Sequence, residues 1–233
     1  MSSPPPSYVC GASVEPLIYV TLGHAFDDAC ARWGEREALV ACHQNRRFTY
    51  AELGKQVAAF AAGLIELGIK RGERIGIWSP NNAEWVIAQL ATAKAGLVLV
   101  NINPAYRLAE LEYALNKVEC SALITAHRFK NSDYLDMLRT LAPELATAEA
   151  GWLRAARLPH LRTVIAIDES NHPGMYRFID IARHAEPNSH AELARIGAEL
   201  QPDDPVNIQF TSGNRAARIV LRRFDDRIAG SSV

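Results

Sequence analysis

The chain has 233 residues, 48% of them hydrophobic and 22% charged, with a formal charge of −1 at pH 7. That balance belongs to a globular protein with a substantial core and offers no electrostatic footprint for nucleic acid or an anionic membrane surface. The four cysteines, Cys10, Cys30, Cys42 and Cys120, include no Cys-x-x-Cys pair, which argues against a disulfide framework or a thiolate zinc site and for reduced thiols.

Residues 1–14 are rich in Ser, Pro and Gly, with Pro4-Pro5-Pro6, and are expected to form a flexible arm. They lack a basic segment followed by an apolar run, and no stretch is long enough to span a membrane, so the expected compartment is the cytoplasm. Leu22 to Trp33 reads as a helix, with Phe26 and Cys30 four apart. Ala38–Cys42, a turn at His43–Arg46 and Arg47–Thr49 read as a hairpin. Thr49-Tyr50-Ala51-Glu52 fits a capping box that opens a helix. Leu53, Val57, Phe60, Leu64 and Leu67 follow as one apolar stripe, and Gly68 stands where a left-handed C-terminal cap wants glycine.

Ile75–Trp78 reads as a strand broken by Ser79-Pro80-Asn81-Asn82. Asn81 or Asn82 caps a helix over 83–95, which Gly96 ends. Leu97–Val100 is apolar on both faces, as in a central parallel strand. A helix over 106–117 presents Leu108, Leu111 and Leu115, and Ala122–Thr125 is another buried strand. Short connections and the order helix, strand, helix, strand, helix, strand predict an α/β fold. Its sheet is expected to be mostly parallel and doubly wound, with right-handed crossovers and helices on both faces.

Beyond it, 131–141 reads as a helix and 143–158 as helix or loop. Residues 162–167 are a strand and 168–175 a polar loop. A short helix over 176–184 is expected to turn Phe178 and Ile179 inward. A helix over 190–200 and a turn at 201–205 lead to a strand over 206–210. No internal repeat and no linker divides the chain.

The last strand runs into Phe210-Thr211-Ser212-Gly213. A strand ending in hydroxyl and glycine residues can offer N–H groups and hydroxyls to phosphate oxygens. The seven histidines are scattered without ligand spacing and read as surface or internally satisfied groups, so no metal ligand is assigned. Ser212 lacks the Gly-x-Ser-x-Gly elbow of a hydrolase nucleophile. No strand is followed by Gly-x-Gly-x-x-Gly. Asp203/Asp204 and Asp225/Asp226 read as turn and surface charges, and the arginines of 215–227 as a solvated tail.

Several stretches occur in an order that resembles the adenylate-forming (AMP-binding) ligases, and in wording their fatty-acyl-CoA synthetase branch. They are Phe48–Leu53, Gly68–Ile75, Ser79–Trp85, Ala95-Gly96 with Asn101-Ile102-Asn103-Pro104, and Pro202–Pro205 followed by Ile208–Gly213. The likeness covers roughly residues 14–213. It implies that 15–213 is a partial N-terminal domain of that ligase fold. It also implies ATP, Mg²⁺ and coenzyme A as reaction partners, a fatty acid or other carboxylic acid as substrate, and no catalytic residue within this stretch. Thr211, Ser212 and Gly213 match the start of the family's phosphate loop, Thr-Ser-Gly-Thr-Thr-Gly-x-Pro-Lys-Gly.

Asn214, Arg215 and Ala216 then replace Thr-Thr-Gly, and no proline or lysine follows in register. The Arg-rich stretch 214–233 is expected to be out-of-frame sequence after a frameshift inside the loop. The alternative is a natural terminal helix over 216–224. Acyl-CoA formation by this chain alone is not expected. An inactive remnant that exposes the strand 206–210 and neighbouring apolar faces, or binds a partner through them, is the second reading.

Overall fold

The computed structural model describes residues 18–211 and 218–222, the last five and Thr211 by their backbone. Helix α1 (Leu22–Trp33) precedes an antiparallel hairpin, β1 (Glu37–Ala41) and β2 (Arg46–Thr49). Helix α2 (Tyr50–Glu66) opens on the expected capping box. Thr49 Oγ1 accepts from the Glu52 amide at 3.2 Å, and the Glu52 carboxylate accepts from the Thr49 amide at 2.9 Å. Leu53, Val57, Phe60 and Leu64 are buried, each contributing about 1.5–3 kcal/mol relative to exposure. Leu67 is half-buried at the cap, and Gly68 takes φ +77°, which an L side chain adopts only with strain.

Next come β3 (Arg74–Trp78), α3 (Ala83–Lys94), β4 (Val98–Asn101), α4 (Leu108–Lys117) and β5 (Cys120–Ala126). The short hairpin β6 (Arg128–Phe129) and β7 (Ser132–Asp133) leads into α5 (Tyr134–Leu141). After a long excursion containing a 3₁₀ turn (Pro143–Ala146), the chain forms β8 (Thr163–Ile167) and β9 (Tyr176–Arg177). Helices α6 (Phe178–Ile181) and α7 (Pro187–Glu199) and strands β10 (Asn207–Thr211) and β11 (Arg218–Arg222) follow.

One sheet runs β11-β10-β4-β3-β5-β8-β9, parallel throughout except for the antiparallel β10–β11 pair. The α/β, mostly parallel, doubly wound reading therefore holds. Ile75, Ile77, Leu99, Ala122, Ile124 and Ile165 point to one face and pack with residues of α2, α3 and α7. Trp78, Val98, Val100, Leu123, Val164 and Ala166 point to the other and pack with α4 and α5. The link β3→β4 moves one way along the sheet with α3 on the first face. The links β4→β5 and β5→β8 move the other way with α4 and α5 on the second. The return to β10 carries α7 on the first again. A single handedness of crossover demands this alternation.

Three expectations are corrected. Ile179 is 64% exposed, while Phe178 and Ile181 are buried. Tyr176 and Arg177 extend beside β8, so Phe178 begins the helical turn, and the residue three later shares its face. The alternative helix over 216–224 is replaced by β11, which pairs with β10 from Thr211↔Arg218 to Asn207↔Arg222. The strand expected to be uncovered is accordingly not an open edge: β10 lies between β4 and β11.

Candidate functional site

Parallel α/β sheets hold ligands at the carboxyl ends of their strands, because loops and helix N-termini converge there. Here that edge joins the ends of β10, β4, β3, β5 and β8. On the β10 side, Ile208 and Gln209 pair with Val100 and Asn101, so Thr211 emerges beside the Asn101–Pro104 loop. Asn101 is in register with Gln209, and its side-chain oxygen is buried without a hydrogen-bond partner among the described residues. Asn207 carries a second such oxygen, its amide donating to Gln89 Oε1 at 3.4 Å. Of the predicted site residues, Thr211 closes β10 by its backbone, while Ser212 and Gly213 lie outside the described residues.

The middle of the edge is tightly built. The Asn82 side chain caps α3 by accepting from the Trp85 amide at 2.8 Å, which resolves the choice between Asn81 and Asn82. Gln44 accepts from the Ala83 amide at 2.7 Å and donates to Glu84 at 2.8 Å, and Arg46 pairs with the same buried carboxylate. The hairpin is thereby tied to the turn after β3. Trp78 and Tyr134, both fully buried, stack with ring centroids 3.7 Å apart and planes 13° apart. The Tyr134 hydroxyl donates to the Pro104 carbonyl at 2.6 Å, and burial pushes its pKa up to about 12. That bond fixes the loop beside Thr211 to α5.

On the β5–β8 side the fold gathers a group that sequence spacing hid. Asp168, just past β8, has His127 Nδ1 at 2.5 Å and His172 Nε2 at 2.9 Å from its Oδ2. Burial raises the Asp168 carboxyl, but the Ser170 amide and the two imidazoles outweigh it and hold it at about 2. The two histidines, scattered in sequence, are both partnered here by one carboxylate. They are separated in sequence and meet only because β5 and β8 are neighbours; no local spacing signals them.

The AMP-binding enzyme family matches residues 26–214. The chain is 44% identical over 207 residues to the medium-chain acyl-CoA ligase ACSF2, mitochondrial, of Danio rerio, covering 89% of this chain and 34% of that protein. It is 41% identical over 208 residues to the Homo sapiens protein of the same name, with the same coverage. A solved long-chain-fatty-acid-CoA ligase (FadD1) from Archaeoglobus fulgidus superposes with a TM-score of 0.69 at 18% identity, over 92% of this chain and 38% of that one, a likeness of fold alone. The chain thus spans about a third of the length of the curated relatives it matches, 34% of each of these two.

Proposed function

The chain belongs to the AMP-binding enzyme family, and we propose that residues 15–213 are the N-terminal, phosphate-loop-bearing region of an ATP-dependent fatty acid–CoA ligase. In that reaction a carboxylate oxygen attacks the α-phosphorus of ATP, and the bond to pyrophosphate breaks to leave an acyl-adenylate. The coenzyme A thiol then attacks the acyl carbon and AMP departs, giving acyl-CoA. Medium-chain acids are the proposed substrate class, after the names of the Danio rerio and Homo sapiens relatives. Mg²⁺ would screen the charge of the phosphates. A cytoplasmic site of action belongs to the same proposal; among the described residues no helix is long and apolar enough to cross a membrane.

The observation that carries this reading is the position of Thr211 at the carboxyl end of an interior parallel strand, beside the loop after β4. Thr211, Ser212 and Gly213 are the proposed nucleotide-binding residues. Their backbone N–H groups would face phosphate oxygens, a role that needs no side-chain charge. The fit stops there. Asn214, Arg215 and Ala216 stand where a second glycine would let the backbone turn, and 214–233 contains no lysine to oppose the phosphate charge. We therefore assign no step of phosphate chemistry to 214–233, and propose that this stretch is read from a shifted frame. The family match ending at residue 214 supports that view. Sequencing the locus tests it, because an unshifted gene encoding the same 214–233 would refute it.

On this reading the chain alone forms no acyl-CoA. Pyrophosphate release from the purified chain with a medium-chain fatty acid, ATP and Mg²⁺ is expected to equal the no-enzyme blank, and turnover above it would overturn the reading. Changing Asn214, Arg215 and Ala216 to Thr, Thr and Gly is expected to raise nucleotide affinity above that of the parent, measured by calorimetric titration with ATP.

A further inference from the structure

We propose that His127, Asp168 and His172 form a binding site for a divalent first-row transition metal ion, Zn²⁺ above all, at the junction of β5 and β8. The three ligand atoms lie within 4.8 Å of one another, His127 Nδ1 and His172 Nε2 both facing Asp168 Oδ2. Two imidazoles and one carboxylate suit a borderline-soft cation, and three protein ligands leave one tetrahedral position for water. Bonds of about 2.0–2.1 Å to nitrogen put tetrahedral ligand atoms roughly 3.3 Å apart. The separations here, 2.5 and 2.9 Å, need to open by less than a bond length.

The surroundings favour a bound ion in two further ways. The other ring nitrogen of His127, Nε2, lies 3.4 Å from Asp133 Oδ2, the carboxylate–histidine arrangement that orients metal ligands. Asp168 Oδ1 accepts from the Ser170 amide at 2.9 Å, which holds the carboxylate with Oδ2 toward both rings. Access is open on one side only: the His127 side chain is 43% exposed, those of Asp168 and His172 13% and 12%. Among the described residues no other such group of three is found.

One neighbour opposes the ion, and it supplies a specific test. Arg139 Nη2 lies 3.1 Å from His172 Nδ1. A guanidinium can only donate, so this contact keeps the ring proton on Nε2, the atom that must ligate. Metal binding requires the proton to move to Nδ1 and Arg139 to turn away toward Asp136, to which its Nη1 already donates at 2.8 Å. The site would join the end of β5 to the loop after β8, and it stands apart from the proposed phosphate loop.

The test is calorimetric titration of the full chain with Zn²⁺, followed by Co²⁺ titration read by visible absorption. Binding of one ion per chain is expected, with a tetrahedral Co²⁺ spectrum. His127→Gln and His172→Gln should each weaken it at least about tenfold, His160→Gln should not, and Arg139→Gln should tighten it by up to about tenfold. Circular dichroism establishes that each variant is folded; His127, the more exposed ligand, is the variant least able to disturb the core. The proposal is overturned if the parent binds no ion, if both histidine variants bind as the parent does, or if Arg139→Gln weakens binding.

Discussion

The two halves of the sheet's carboxyl edge are built differently. On the β5–β8 side, Trp78 lies on Tyr134, Tyr134 holds Pro104, and Asp168 faces two imidazoles and an amide, so side chains tie the elements together, although the buried indole nitrogen of Trp78 has no hydrogen-bond partner among the described residues. On the β10 side, the strand is held by its ladder with β4 and β11, while Asn101 and Asn207 each bury an oxygen that has no hydrogen-bond partner among the described residues. Native folds leave few such groups, and each marks a place where something besides packing has decided the residue. The pairing teaches that the half with the readable motif is held mainly by its backbone ladders, and the other half by side-chain contacts. The half without any motif holds the better-defined cluster of chemical groups.

The largest test removes the anchor of the well-built half. Trp78→Ala should cost about 4 kcal/mol in urea unfolding, because an aromatic ring with no exposed surface leaves a cavity its neighbours cannot fill. A loss under 1 kcal/mol would mean the stack is not what secures that side. Gly63→Ala comes next. A Cβ there would lie 2.1 Å from the Ile181 carbonyl oxygen, so α2 and the end of α6 must separate. About 3 kcal/mol is expected, read from the same unfolding curves. This change acts on the face of the sheet that both halves share, and metal affinity and nucleotide affinity of the loop-restored chain should fall together if the halves rest on one scaffold.

Much of that scaffold was legible in the sequence. Helix α2 was readable in full, since the Thr49–Glu52 box, the stripe from Leu53 to Leu64 and Gly68 are independent signals that agree. Strand β4 was readable because it is apolar on both faces. Legibility failed where tertiary neighbours decide. The helix expected from 131 begins at Tyr134, because Arg128–Asp133 first makes a small hairpin and Asp133 then caps the helix. Ile179 was misread because Tyr176 and Arg177 join the sheet before the helical turn begins. At the site, Thr211 could be found from its contiguous motif. The His127–Asp168–His172 group could not, since His127 joins Asp168 and His172 only through the β5–β8 pairing.

A third, smaller effect concerns the strand beneath the well-built half. Burial pushes the Cys120 thiol from 9.0 up to about 12. The folded chain therefore keeps its proton where the unfolded chain loses it. Its contribution to stability is complete below pH 9 and is lost as pH rises toward 12, at about 1.4 kcal/mol per pH unit in that window. Comparing urea midpoints at pH 8.0 and about 10, Cys120→Ala should lose less stability between the two than the parent does. An equal loss in both would assign the alkaline sensitivity elsewhere.

The smallest expected effect is on the β10 side and bears most directly on the contrast. Asn101→Ala removes a buried amide oxygen that accepts no hydrogen bond among the described residues. Ordinarily, truncating a buried polar side chain strands its partner and costs about 1–3 kcal/mol. Here the oxygen has no partner to strand among the described residues, and the substitution also relieves the desolvation of an unpaired acceptor, so the net change should stay within about 1 kcal/mol of zero. A stabilised variant would mean that Asn101 is held at the end of β4 against the interest of the fold, as expected of a residue kept for a ligand at the strand end beside Thr211. A loss of 2 kcal/mol or more, the figure for a bonded buried amide, would mean that side-chain bonds hold the β10 side as well and that the contrast between the two sides is not real.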